Sequence, residues 1–210
     1  EDLWCGAMTL PRELTLKDNH IYQAPAREIN NYIKNTKTSE NITLTDSVQI
    51  LPEFKGRTSK ITVDIKVDKL ESGKCGIQLF KGDKYNTRIY YDANRGYLVF
   101  DRSRCGSMMD GQRFCKVEPI DGKIKLEIYL DVNSVEVFIN NGYYTMTGTT
   151  FTPIGNDDVA LFAEGCTGEF SNLTTMIGLV YNYLLFVILP LYTTMLNMDN
   201  SQIVASKDLG

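Results

Sequence analysis

Strict two-residue alternation of apolar and polar side chains constrains this chain more than any other feature. Ile61, Val63, Ile65 and Val67 alternate with Lys60, Thr62, Asp64 and Lys66. Ile124, Leu126, Ile128 and Leu130 alternate with Lys123, Lys125, Glu127 and Asp131, and Val135, Val137 and Ile139 repeat the pattern. Successive strand side chains point to opposite faces, so each run predicts a strand with one buried face and one wet face. Asn140-Asn141-Gly142 then leads into Tyr143-Tyr144-Thr145-Met146. Asn-Gly between β-rich runs signals a hairpin, because both positions must tolerate φ > 0.

Further strands are predicted near 76–80, 87–91, 97–101 and 159–163. Ser72-Gly73, Asn94-Arg95-Gly96, Asp121-Gly122 and Gly155-Asn156 punctuate them. Short strands separated by Gly and Asn, with no long amphipathic helix between them, predict an all-β fold. The expected form is a two-sheet antiparallel β-sandwich of jelly-roll or lectin-like type over residues 40–179. Ile61, Val63, Ile65, Ile124, Leu126, Ile128, Val135, Val137 and Ile139 are expected to point inward. One short helix is predicted over 26–33, where Pro25 suits the first turn and Ile29, Tyr32 and Ile33 share a face.

The C-terminal part changes character. Residues 170–198 form a charge-free run of 29. Its core, 176–196, is long enough to cross a bilayer as a helix of about 20 residues. The alternative is a last core strand followed by a hydrophobic extension over 180–210.

The inventory of reactive groups excludes several functions. A net charge of −4, from 22 basic and 26 acidic residues, lacks the basic face of a nucleic-acid binder. His20 is the single histidine, which excludes any site built on two. It closes Lys17-Asp18-Asn19-His20, a polar turn between Leu16 and Ile21, and reads as a surface residue. Cys5, Cys75, Cys105, Cys115 and Cys166 contain no CxxC pair. They read as thiols kept reduced in a cytosol, with one incidental disulfide as the alternative. A cytoplasmic location is therefore expected, with membrane association through 176–196 as the alternative. No phosphate-binding loop is present, and Asp157-Asp158 reads as a solvated loop, because adjacent strand residues face opposite ways. No metal, cofactor or catalytic residue is expected. Tyr85, Tyr90, Tyr91, Tyr97, Tyr143 and Tyr144 are candidates for stacking on sugar rings, Tyr90, Tyr97 and Tyr143 foremost. The competing reading is ordinary half-buried strand tyrosine. The opening Glu1-Asp2-Leu3-Trp4 has no initiator methionine and no signal-peptide pattern, and reads like the interior of a longer protein.

Four segments, in order, resemble glycoside hydrolase family 32, the β-fructofuranosidases. Trp4-Cys5-Gly6-Ala7-Met8-Thr9-Leu10-Pro11-Arg12-Glu13-Leu14 is similar to the family's W-x-G-x-x-[ST]-x-P-R-E-L segment, continued by Ile21-Tyr22-Gln23-Ala24-Pro25. Tyr91-Asp92-Ala93-Asn94-Arg95-Gly96-Tyr97 and the following residues to Arg104 resemble a strand-turn-strand unit of its C-terminal module. Asp131-Val132-Asn133-Ser134-Val135-Glu136-Val137-Phe138-Ile139-Asn140-Asn141-Gly142 resembles D-x-S-S-V-E-V-F-x-N-x-G, with Val132-Asn133 where the family usually has Arg-Ser. Leu161-Phe162-Ala163-Glu164-Gly165 matches near the end.

The resemblance covers about residues 3–179 and implies a pairing. Family members join an N-terminal five-bladed β-propeller, which holds the active site, to a C-terminal β-sandwich. Residues 1–25 would then be the propeller's end and the interdomain linker, and 26–39 a linker helix or loop. Leu10, Pro11, Arg12 and Glu13 would lie at the seam, unless Arg12 and Glu13 merely form an exposed ion pair. The implied partner is a catalytic propeller, and homo-oligomer contacts are also expected. The family's nucleophile lies in N-D-P-N-G, a second acid in R-D-P, and its acid/base in E-C. The chain has no Asp-Pro, Arg-Asp or Glu-Cys dipeptide, so no residue inherits a catalytic role. The expected function is a non-catalytic sandwich module of a fructosidase. Two alternatives remain, a free-standing carbohydrate-binding sandwich and a membrane-tethered structural domain.

Overall fold

Alternating strands need a second layer to bury their apolar faces, and the chain provides one from its own strands. The computed structural model describes residues 9–32, 34–68, 70–106 and 111–177. A hairpin of β1 (Arg12–Lys17) and β2 (His20–Pro25) comes first, then a 3-10 turn, Arg27–Tyr32. β3 (Lys34–Thr38), β4 (Ile42–Thr45) and β5 (Val48–Ile50) are short and precede a second 3-10 turn, Pro52–Phe54. β6 (Ser59–Lys66), β7 (Lys74–Lys81), β8 (Thr87–Asp92), β9 (Tyr97–Asp101) and β10 (Gln112–Lys116) follow. The last group is β11 (Lys123–Asp131), β12 (Ser134–Ile139), β13 (Tyr144–Thr149), β14 (Asp158–Glu164) and β15 (Thr167–Ile177).

Two antiparallel sheets face each other. One runs β10-β9-β8-β7-β14-β5, the other β13-β12-β11-β6-β15-β3, with β4 also on β15. Register aligns the apolar rows: Ile65, Val63 and Ile61 oppose Ile124, Leu126 and Ile128, and Ile128 and Leu130 oppose Val137 and Val135. All nine residues expected to point inward are at most 1% exposed. They meet Ile77, Leu79, Ile89, Leu98, Phe100 and Leu161 from the other sheet. Full burial of each such side chain contributes about 1.5–3 kcal/mol. Lys125 stays exposed and Lys123 and Glu127 half-buried, as the alternation requires.

Two local expectations change. The helix predicted over 26–33 forms as a 3-10 turn, with Ile29 N–H donating to the Ala26 carbonyl at 3.0 Å. Six residues are too few for a stable α-helix, and packing decides instead: Ile29, 2% exposed, plugs against Tyr129 and Phe138. Residues 34–38, assigned above to a linker, are a strand of the sandwich. β4 pairs with the first half of β15 and β3 with the second, on either side of a bulge at 171–174 where Asn172 takes φ +51°. The hydrophobic run 176–196 lies outside the described residues except for Met176 and Ile177, which end β15. Among the described residues no helix is long and apolar enough to cross a membrane.

Candidate functional site

The β1–β2 hairpin belongs to neither large sheet, yet it is clamped to the outer face of β12 and β13, and Arg12 is the clamp. Alternation puts Arg12 and Gln23 on one hairpin face and Glu136 on the outside of β12. Arg12 Nη2 lies 2.7 Å from Glu136 Oε2 and donates to Thr147 Oγ1 at 2.9 Å. Its Nη1 donates to Gln23 Oε1 at 2.8 Å and Thr145 Oγ1 at 3.5 Å. The guanidinium carbon sits 5.2 Å from the Phe138 ring centroid. The other Glu136 oxygen accepts the Leu10 N–H at 2.6 Å. This pair is buried, its side chains 18% and 6% exposed. Leu10 packs with Ile29, Tyr129 and Phe138.

Glu13 works differently from its neighbour. It accepts hydrogen bonds from the backbone N–H and Nε of Arg27, at 3.0 and 2.8 Å, in the open. The backbone N–H, then the guanidinium, holds its carboxyl below the usual carboxylate range. The Pro11 carbonyl accepts the Ala26 N–H at 2.9 Å and closes the hairpin's base. Arg12 is locked in a buried contact and Glu13 in an exposed one, and they do not pair with each other.

The hairpin tip rests on the Asn-Asn-Gly turn. Asp18 and Asn19 take φ of 50° and 60°, which lets the polar turn reverse within two residues. His20 Nε2 lies 2.8 Å from the Tyr143 carbonyl, and its ring stacks on Tyr143 at 3.7 Å and 6°. Tyr22 meets both rings edge-on. Gln23 N–H donates to the Gly142 carbonyl at 3.0 Å. Gly142 has φ +84°, and a Cβ there would fall 1.9 Å from the Gln23 carbonyl oxygen. Glycine is required for the close approach of β2 as well as for the turn.

Beyond Arg12 the same hairpin face carries large aliphatic side chains that are left bare. The register sets Leu16 opposite Ile21, with Leu14 two residues back on the same side. They are 72%, 55% and 66% exposed. An isolated two-stranded ribbon is marginal in water, and this one presents three large aliphatic side chains that no layer of the described residues covers.

The tyrosine candidates are scattered. Tyr90 is 3% exposed, meets Phe162 edge-on and lies beneath Arg88 and Lys74, so it offers no face to a sugar. Tyr97 is half-buried and edge-on to Phe114. Tyr143 is exposed, but His20 occupies one of its faces. Tyr91 and Tyr144 pack on the core. Among the described residues no three His, Cys, Asp or Glu side chains cluster as metal ligands. Glu136, Gln23, Gly142 and Thr147 complete the contact between hairpin and sandwich, and none of them was a candidate from sequence. Glu136 and Gly142 do lie within the quoted D-x-S-S-V-E-V-F-x-N-x-G segment, which was the available signal.

Comparison with known proteins places this geometry. A sucrose-6-phosphate hydrolase of Zymomonas mobilis is 30% identical over 155 residues, covering 71% of this chain and 30% of that protein. A levanase of Bacillus subtilis is 28% identical over 182 residues, covering 81% and 27%. The chain thus spans about 30% of the length of these relatives. The crystal structure of fructan 1-exohydrolase IIa from Cichorium intybus superposes with a TM-score of 0.70 at 17% identity, over 81% of this chain and 40% of that one, which shows a shared fold. The sequence pattern described as "Glycosyl hydrolases family 32 C terminal" matches residues 25–176, and the chain belongs to that family.

Proposed function

We propose that this chain is the non-catalytic C-terminal sandwich of a fructoside-cleaving glycoside hydrolase, and that it supports a catalytic β-propeller through the β1–β2 hairpin. The observation that carries the reading is the hairpin's asymmetry. One set of contacts fixes it to the sandwich through Arg12 and Glu136, while Leu14, Leu16 and Ile21 remain bare on a ribbon that no layer of the described residues covers. Cleavage through a glycosyl intermediate needs two carboxyl groups about 5–5.5 Å apart across the scissile bond, and the motifs that supply them in family 32 are absent from the sequence. The acids of the seam are engaged in holding it: Glu136 by Arg12 and Leu10, Glu13 by Arg27.

The test mixes purified chain with a family 32 propeller that lacks its own sandwich. A rise in the propeller's melting temperature is expected, and its loss in a variant carrying Leu14→Lys, Leu16→Lys and Ile21→Lys. These positions are exposed, so the variant's own unfolding should be unchanged. The chain alone should release no fructose from sucrose or levan. Stabilisation that survives the triple variant, or repurified chain that hydrolyses sucrose alone, would overturn the proposal.

A further inference from the structure

Cys75 and Cys166 are far apart in sequence, but the topology brings them to one end of the sandwich. Cys75 lies near the start of β7, opposite Ala163 of β14, and is fully buried. The chain leaves β14 at Glu164, turns at Gly165 (φ +69°) and enters β15, which passes it from one sheet to the other. Cys166 sits in that crossing. It shares strand parity with Gly168 and Phe170, and Phe170 is 1% exposed, so Cys166 faces inward at the rim of the core. The crossing is pinned on both sides: Gly165 N–H donates to Asp46 Oδ1 at 2.5 Å and Asp46 N–H to the Cys166 carbonyl at 3.3 Å.

The two thiols meet at this rim, where Cys166 Sγ donates to the carbonyl of Lys74, next to Cys75, at 3.5 Å. Gly168 leaves room for this meeting, since a Cβ there would lie 2.9 Å from the Cys75 Cβ. Cys166 is half-buried and reachable from solvent, whereas Cys75 is not. An accessible sulfur beside a shielded one is the arrangement of an attacking and a resolving thiol.

We propose that Cys75 and Cys166 are a reversible dithiol–disulfide pair, closed by exchange with a low-molecular-weight disulfide such as glutathione disulfide. The Cys166 thiolate attacks one sulfur of the reagent, giving a mixed disulfide and one thiolate leaving group. The Cys75 thiolate then attacks the Cys166 sulfur, forming the internal bond and expelling the second thiolate. Two protein thiols are oxidised, one disulfide is reduced to two thiols, and the two protein protons end on those thiols. Partial burial raises the Cys166 thiol above its ordinary value, and neighbouring hydrogen bonds offset this only in part. Burial pushes the Cys75 thiol up to about 12. Resolution is therefore the slow step and quickens about tenfold per pH unit below that value.

The bond would cross from one sheet to the other and close a loop of about 90 residues. Constraint of the unfolded chain over such a loop should raise the melting temperature by about 5–15 °C. The experiment incubates the folded full chain with glutathione disulfide at pH 7, 8 and 9, blocks remaining thiols under denaturing conditions and maps the peptides. The expected result is a linked Cys75–Cys166 peptide, formed faster at each higher pH, with a raised melting temperature that dithiothreitol reverses. Cys166→Ser should abolish both effects and Cys115→Ser should leave them. The wild-type peptide map decides the matter even if Cys166→Ser does not fold. The proposal is overturned if Cys75 stays fully alkylatable, if Cys166 links to another cysteine, or if the bond forms only in denaturant.

Discussion

Replacing Glu136 by alanine tests whether Arg12 is what holds the hairpin in place. The two side chains are 6% and 18% exposed and 2.7 Å apart. Removing one partner of a fully buried pair costs about 3–5 kcal/mol, because the other charge is left without compensation. Here Arg12 would keep Gln23, Thr145 and Thr147 as acceptors, which lowers the cost. The Leu10 N–H would lose its acceptor at the same time, which raises it by about 1 kcal/mol. A net loss of about 2–4 kcal/mol follows.

That loss should appear first in the hairpin, which is held by few contacts, and only partly in global unfolding. The assay is amide hydrogen exchange at Gln23 and Ala26, whose N–H groups bond the Gly142 and Pro11 carbonyls. Exchange at Gln23 should speed up about 30- to 1,000-fold, since each factor of ten corresponds to about 1.4 kcal/mol. Amides of β11 should barely change. A double-mutant cycle of Arg12→Ala with Glu136→Ala should give a coupling of about 1.5–3 kcal/mol. The Glu13–Arg27 pair, with side chains 38% and 84% exposed, should show no measurable coupling. Equal coupling in the two cycles, or unchanged Gln23 exchange in Glu136→Ala, would refute the assignment of Arg12 as the clamp.

Two other perturbations separate steric from electrostatic contributions to the hairpin's attachment. Gly142→Ala forces a Cβ to 1.9 Å from the Gln23 carbonyl in a residue at φ +84°, whereas Gly155 has open space around it; the first should cost about 2 kcal/mol or more by urea denaturation and Gly155→Ala under about 0.5. Glu13 is held below the usual carboxylate range by the Arg27 N–H, so its anchoring is complete above that range and lost as pH falls through the lowered value. The Arg27 amide resonance should therefore titrate with a midpoint below 4.5, absent in Glu13→Gln; a midpoint at or above that value would exclude the contact.

Alternation was enough to place the sandwich core because it depends only on neighbouring residues. Ile61 to Ile65, Ile124 to Ile128 and Val135 to Ile139 point inward wherever the strands pair, since slipping one residue would turn every apolar side chain outward. Short edge strands such as β3 and β5 carry no such pattern; Val48 and Ile50 are about half exposed, and partners distant in sequence decide their strand state. Arg57 shows a second kind of silence. Its guanidinium donates to the carbonyls of Val132, Thr152, Pro153 and Asn156 and lies 4.5 Å over the Phe80 ring. Four carbonyls leave no trace in side-chain chemistry: at Val132-Asn133, where the family usually has Arg-Ser, this turn contributes through its backbone.

The hairpin's place on the sandwich had a readable mark, and it lies where alternation fails. A strand wet on one face should not carry three apolar residues in a row, yet Ile128-Tyr129-Leu130 and Val137-Phe138-Ile139 both do. Uninterrupted apolar runs belong to strands covered on both faces. The outward members of these runs, Tyr129 and Phe138, are the residues that Leu10 and Ile29 cover, with Arg12 over the Phe138 ring. Leu98-Val99-Phe100 and Leu161-Phe162-Ala163 break the pattern in the same way on the other sheet. There Val99 and Phe162 are fully buried with Tyr90, and the Arg88 guanidinium lies 3.9 Å over the Phe162 ring. Glu136 fits the same logic from the polar side. It occupies an outward position, but it is flanked by a strand whose outer face is apolar two residues later, so it must be covered, and a covered carboxylate requires a cation. Sequence alone announces that need at residue 136. Only the fold shows that the cation comes from Arg12, 124 residues earlier.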